Sequence, residues 1–125
     1  MTRVLIVEDQ RMAREDMENY INASGRYQLA ASIAKAGMAE SACLHSGSQL
    51  VLMDVCTEND ESGFAATEAI KASMPQVKVI IVTSMVECSF LDRARKAGAD
   101  SFWYKDAGCE ELLGVMDRTM DGDRN

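Results

Sequence analysis

The sequence predicts an α/β fold, a doubly wound parallel sheet with helices on both faces, and three observations carry the prediction. Five short runs are apolar at consecutive positions, the mark of strands covered on both faces. Between them lie segments whose apolar residues recur at three- and four-residue steps, as on one face of a helix. Gly and Pro fall between the segments. The order is βαβαβαβαβα, which implies parallel pairing, and right-handed crossovers then cover the sheet on both sides.

The elements follow in order along the chain. The strand runs are Val4 to Val7, Gln28 to Ile33, Leu50 to Met53, Val77 to Val82 and Ser101 to Tyr104. The first helix, Arg11 to Ala23, carries Met12, Met17, Tyr20 and Ile21. The second, Gly37 to Leu44, is short and Ala-rich. The third, Phe64 to Met74, places Phe64, Thr67, Ile70 and Met74 on one stripe. The fourth, Met85 to Ala97, turns Phe90, Leu91 and Ala94 inward, and the fifth, Glu110 to Met120, does the same with Leu112, Leu113, Met116 and Met120. Gly25 and Gly98 fit helix C-terminal caps, and Pro75 follows a helix end. His45 reads as a surface helix residue.

Bulk properties narrow the function. The chain has 125 residues, 47% hydrophobic and 26% charged, which suits one globular domain. Its net charge of -7 excludes nucleic-acid binding through a general basic field. Cys43, Cys56, Cys88 and Cys109 show neither CxxC nor Cys/His metal spacing. The opening "MTRVLIVEDQ" has too short an apolar run for a signal peptide, and no segment reaches membrane-spanning length, so reduced thiols in a cytoplasmic protein are expected.

In a doubly wound sheet the site lies beyond the carboxyl ends of the strands. The residues there are Glu8 and Asp9, then Asp54, then Thr83 and Ser84, then Lys105. Three converging carboxylates repel one another. A small divalent cation relieves this, and hard oxygen ligands with room for water suit Mg²⁺, or Mn²⁺. Lys105 adds a compact positive charge and Thr83 a donor, a set matched to a transferring phosphoryl group. Asp54 is then the nucleophile.

Four motifs in order, "VLIVEDQ", "VLMD", "VIIVTS" and "KAGADSFWYKDAG", resemble the receiver domain of two-component response regulators over essentially the whole chain. The resemblance implies a flavodoxin-like (CheY-like) three-layer sandwich with strand order 2-1-3-4-5 and five helices. It implies phosphotransfer from a sensor histidine kinase to Asp54, with no other enzymatic turnover. It implies Mg²⁺ held by Glu8, Asp9, Asp54 and the Cys56 carbonyl, with Phe102 as an aromatic switch beside Thr83, Ser84 and Lys105. Signalling then runs through the face of the fourth helix, fifth strand and fifth helix, and a homodimer would use that face or the first and fifth helices. "KDAGCEELL" after the last strand, with no proline behind Lys105, is similar to the NarL/FixJ type, whose receivers precede a LuxR-like helix-turn-helix. DNA contact and transcriptional output would need that further domain. Residues 1–121 are then the receiver, and 122–125 a polar tail or the start of a linker. A cis Lys105–Asp106 bond is not expected, because a non-proline cis peptide costs about 3 kcal/mol.

The loop after Asp54 departs from the family pattern. Thr57 and Glu58 stand where a Met-Pro pair is usual, Gly63 falls one residue late, and Glu58, Asp60 and Glu61 add charge. The bland reading is a solvated acidic loop over Thr57–Ser62; the sharper one is tuning of kinase choice or metal affinity. Ser84 leaves phosphate access open or caps a helix. Cys56 and Met85 lack a strong hydrogen-bonding group, which would hold attacking water poorly and lengthen the phosphoryl lifetime. Three other functions compete. A haloacid-dehalogenase-type phosphatase needs a second acid where Cys56 stands. A flavodoxin-like electron carrier needs a glycine- and hydroxyl-rich loop where "EDQRMAR" stands. A pseudo-receiver that only mediates contacts would not need every site residue present.

Overall fold

The computed structural model of the chain describes residues 1–55, 61–84 and 88–122. Five strands alternate with five helices: β1 (Thr2–Val7), α1 (Arg11–Ser24), β2 (Tyr27–Ile33), α2 (Ala39–Ser46), β3 (Leu50–Asp54), α3 (Glu61–Ser73), β4 (Lys78–Thr83), α4 (Cys88–Ala97), β5 (Ser101–Tyr104) and α5 (Cys109–Met120). All strand pairs are parallel, in the order β2-β1-β3-β4-β5. The fold class and strand order are those the sequence leads one to expect.

Alternation along the strands makes two cores. Leu5, Val7, Val51, Met53, Val79, Ile81 and Phe102 face α2, α3 and α4. Val4, Ile6, Leu50, Leu52, Ile80, Val82 and Trp103 face α1 and α5. Successive strand residues point to opposite faces, so a run that is apolar at every position feeds both layers. The predicted inward stripes of α3 and α5 hold: Phe64, Thr67, Ile70, Leu112 and Met116 are all buried.

Several details differ from expectation. Met12 is 77% exposed. The buried stripe of α1 is Met17 and Ile21, and Met12 lies five residues back, roughly 140° round the helix. The second helix opens with a tight 3-10 turn over Ala36–Met38 and runs on to Ser46, where Gly47 closes it in the left-handed conformation. Leu44 therefore faces solvent.

The third helix begins at Glu61, three residues before Phe64, so Ser62 and Gly63 belong to its first turn instead of to a loop. Gly63 makes this possible: a Cβ there would stand 2.6 Å from Val55 Cγ2 and 3.4 Å from the Asp54 carbonyl oxygen. The fourth helix is described from Cys88 onward, and Ser84 is exposed. Cys56, Thr57, Glu58, Asp60 and Met85 lie outside the described residues. Among those described, Cys43 and Cys109 are free thiols, no peptide bond is cis, Lys105–Asp106 included, and no helix is long and apolar enough to cross a membrane.

Two networks fasten the layers. Lys71 of α3 donates to the carbonyls of Pro75 and Val77 and to Asp100, which also accepts from the Val79 amide. Near the other edge, Tyr27 and Arg26 hold Asp117 of α5.

Candidate functional site

Strand register brings the site together. Val7 pairs with Met53, Asp54 with Val82, and Thr83 with Tyr104. Glu8, Asp54, Thr83 and Lys105 therefore emerge at one edge. The period-two alternation decides which way each points. Glu8 continues the Val4–Ile6 stripe, Asp54 continues Leu50–Leu52, and Lys105 follows Trp103, all on the α1/α5 side. Thr83 continues Val79–Ile81 on the other side, beside Phe102.

Lys105 is the hinge of the cluster. Its Nζ lies 2.7 Å from Asp54 Oδ1 and 2.9 Å from Glu8 Oε1. Both acids are buried, while Asp9 is exposed. Glu8 Oε2 accepts from the Gln10 amide at 3.1 Å. Burial raises the Glu8 pKa, and the nearby Asp54 charge adds to this, while Lys105 and the Gln10 amide oppose it. Burial pulls the Lys105 pKa down, but the bonds to Asp54 and Glu8 outweigh it and leave the ammonium firmly protonated.

The acid trio fits a small divalent cation. One carboxylate oxygen from each of Glu8, Asp9 and Asp54 lies within 4.8 Å of the others. Such a set offers hard oxygen ligands without filling a coordination sphere, which suits an ion that keeps several waters. A cleft of about 760 Å³ opens beside Asp9 and Asp54, walled by Lys35, Ala36, Gly37, Met38 and Ser62. That opening leaves Asp9 and Asp54 accessible from solvent.

The sequence matches the response regulator receiver domain over residues 4–117. The chain belongs to this family. Among curated relatives, the response regulator protein VraR of Staphylococcus aureus is 30% identical over 97% of this chain and 57% of its own length. The receiver thus spans little more than half of the relatives it matches. A solved LuxR-family two-component response regulator from Aurantimonas sp. SI85-9A1 superposes with a TM-score of 0.89 at 26% identity, covering 99% of this chain and 89% of that one. The signal receiver domain of the response regulator NarL from Mycobacterium tuberculosis shares the fold at a TM-score of 0.87 and 19% identity, with 97% of each chain covered.

In this receiver Thr83 is fully buried at the end of β4, and Ser84 beside it is exposed. Phe102 is buried among the α2–α4 core residues, with the Arg95 guanidinium of α4 stacked 5.3 Å from its ring centroid. The structure thus brings Glu8, Asp9, Asp54 and Lys105 into one cluster, with Thr83 buried at the end of β4 and Phe102 buried in the α2–α4 core. Cys56 and Met85, given lifetime roles by analogy, are not among the described residues. Sequence reasoning passed over Arg14. It lies one turn into α1, behind the acid pair, and donates to the Glu8 carbonyl. The signal available was a basic residue placed so that the first helical turn carries it back over that loop.

Proposed function

We propose that this receiver is a phosphorylation switch with Asp54 as the phosphoacceptor. The observation that carries the reading is the Lys105 ammonium bonded at once to Asp54 and Glu8, with Asp9 completing an acid trio around one point. The donor is a phosphohistidine on a sensor kinase. Asp54 attacks the phosphorus, the phosphorus–nitrogen bond breaks, and the imidazole leaves. Glu8, Asp9 and Asp54 would hold Mg²⁺ or Mn²⁺, and the family resemblance adds the carbonyl of Cys56, which lies outside the described residues. The ion, when bound, supplies positive charge to the phosphoryl oxygens. Lys105 gives up part of its contact with Asp54 and binds a phosphoryl oxygen. Thr83 supplies a hydroxyl donor from the other side, and Ser84 leaves the approach open.

Modification adds close to two negative charges to Asp54, by analogy with other phosphorylated side chains. The pull on Thr83 and Lys105 is passed to Phe102 and to the face of α4, β5 and α5. That face, or the one formed by α1 and α5, is available for homodimerisation. Residues 1–121 are the receiver in this reading and 122–125 a polar tail or the start of a linker, and transcriptional output in the cytoplasm would run through a LuxR-like DNA-binding domain. The length of the curated relatives beyond the matched stretch, and the LuxR-family description of a solved relative, support that output.

Incubation with acetyl phosphate and Mg²⁺, read by intact mass, tests the central claim. A phosphate-sized gain is expected in the wild type and not in Asp54→Ala. No gain, or one that survives the substitution, removes Asp54 from its role.

A further inference from the structure

Two adjacent acids in the β1–α1 turn must be held beside a third against their mutual repulsion. Lys105 holds the Glu8 carboxylate. A different cation holds the Glu8 main chain. Arg14 donates from Nη1 to the Glu8 carbonyl oxygen at 3.0 Å. Its Nε lies 3.8 Å from Glu18 Oε2. That oxygen in turn accepts from Ser32 Oγ of β2 at 2.5 Å. The Glu8 amide donates to the Ile33 carbonyl at 3.0 Å. The turn is therefore tied twice to β2, once directly and once through Ser32, Glu18 and Arg14.

Asp9 gives this bracing a purpose. Its carboxylate has no side-chain hydrogen bond or ion pair among the described residues, although it belongs to the acid trio. Its position is set by the backbone that carries it, and that backbone begins at the Glu8 carbonyl. A partly exposed ion pair at 3.8 Å, such as Arg14–Glu18, adds little to stability on its own. The bond to a backbone carbonyl beside a ligand fixes a direction instead, as outer-shell partners do at metal sites.

We propose that Arg14 is a positioning residue for the divalent cation, fixing the Glu8 carbonyl and with it the stance of Asp9 toward Asp54. This rests on the reading of Glu8, Asp9 and Asp54 as the Mg²⁺ site. The sign of the effect separates this role from plain electrostatics. As a nearby positive charge, Arg14 opposes cation binding, so its removal would tighten Mg²⁺. As a brace it lowers the ordering cost of binding, so its removal loosens Mg²⁺.

The test is calorimetric titration of Mg²⁺ into the wild type, Arg14→Met, Arg14→Lys and Glu18→Gln, with the thermal midpoint of each measured in EDTA. Loosening of about tenfold is expected for Arg14→Met and about threefold for Glu18→Gln, in line with losses of outer-shell partners elsewhere. Arg14→Lys keeps one donor and the charge, and falls between wild type and Arg14→Met. The EDTA midpoints stay close to wild type. Unchanged or tighter Mg²⁺ binding in Arg14→Met overturns the proposal. So does loosening that only tracks a falling midpoint from variant to variant, which would make Arg14 merely structural. Should Arg14→Met fail to fold, Glu18→Gln decides: wild-type affinity there overturns the brace. A wild type that takes up no Mg²⁺ removes the metal reading itself, a result distinct from failure of the brace.

Discussion

Lys105 stands where two buried acids meet, and each of the three charges is tolerable only because the others are present. Its place after β5 was legible from motif spacing. Its grip on Glu8 as well as Asp54 was not, because that contact depends on the register of two strands that are not neighbours in the sheet. Tyr27 shows the same limit. In sequence it falls just before the second apolar run, with no role marked, yet it opens β2 and its hydroxyl donates to Asp117 Oδ1 at 2.6 Å. Burial raises the phenol pKa, and the bond to Asp117 raises it further. The folded state thus holds this proton more tightly than an unfolded phenol with the ordinary value of 10.0. The sign follows from linkage: the stabilisation is complete below that value and is lost as pH rises through it and beyond. Of the three tyrosines, one is expected to ionise late in a tyrosinate absorbance titration. Tyr27→Phe should remove the late step. Three tyrosines ionising together near the ordinary value would contradict the geometry.

At the scale of elements, the onset of α3 was misread for a physical reason. The pattern of large apolar residues begins at Phe64, and Gly63 looks like a turn former. Here glycine serves close packing. The first turn of α3 comes so near the end of β3 that a Cβ would meet Val55 Cγ2 at 2.6 Å. Thr67 Oγ1 bonds back to the Gly63 carbonyl at 2.9 Å, securing the turn. Val55 is β-branched and cannot swing aside freely. Gly63→Ala should therefore cost about 1–3 kcal/mol by urea unfolding, as overpacking does elsewhere. The strain would fall on the backbone that carries Asp54, so slower phosphorylation by acetyl phosphate should accompany it. A Gly63→Ala protein as stable as wild type would show that α3 sits further from β3 than described. By contrast β5, Ser101–Tyr104, was read with both ends correct, since both of its faces are covered and the apolar run equals the strand.

For the whole molecule, the order of apolar runs was enough to give the sheet and its two layers, because a fully buried parallel strand writes itself as consecutive apolar residues. It was also enough to name the edge where Glu8, Asp9, Asp54, Thr83 and Lys105 meet. What the order of elements did not reveal is which of them share a face, because that follows from pleat and register together. The shared edge has a thermodynamic consequence. Folding gathers Glu8, Asp9 and Asp54 within 4.8 Å of one another, a repulsion the unfolded chain does not bear. An ion that binds only the folded trio relieves it and shifts the folding equilibrium by mass action, about 2.7 kcal/mol when Mg²⁺ stands at a hundred times its Kd. The thermal midpoint should therefore climb with Mg²⁺ concentration and keep climbing slowly past saturation. Asp9 is exposed and its charge adds to that repulsion, so Asp9→Asn should raise the midpoint in EDTA slightly while abolishing most of the climb. A wild-type midpoint indifferent to Mg²⁺, or an equal climb in Asp9→Asn, would mean that the three acids do not act as one site.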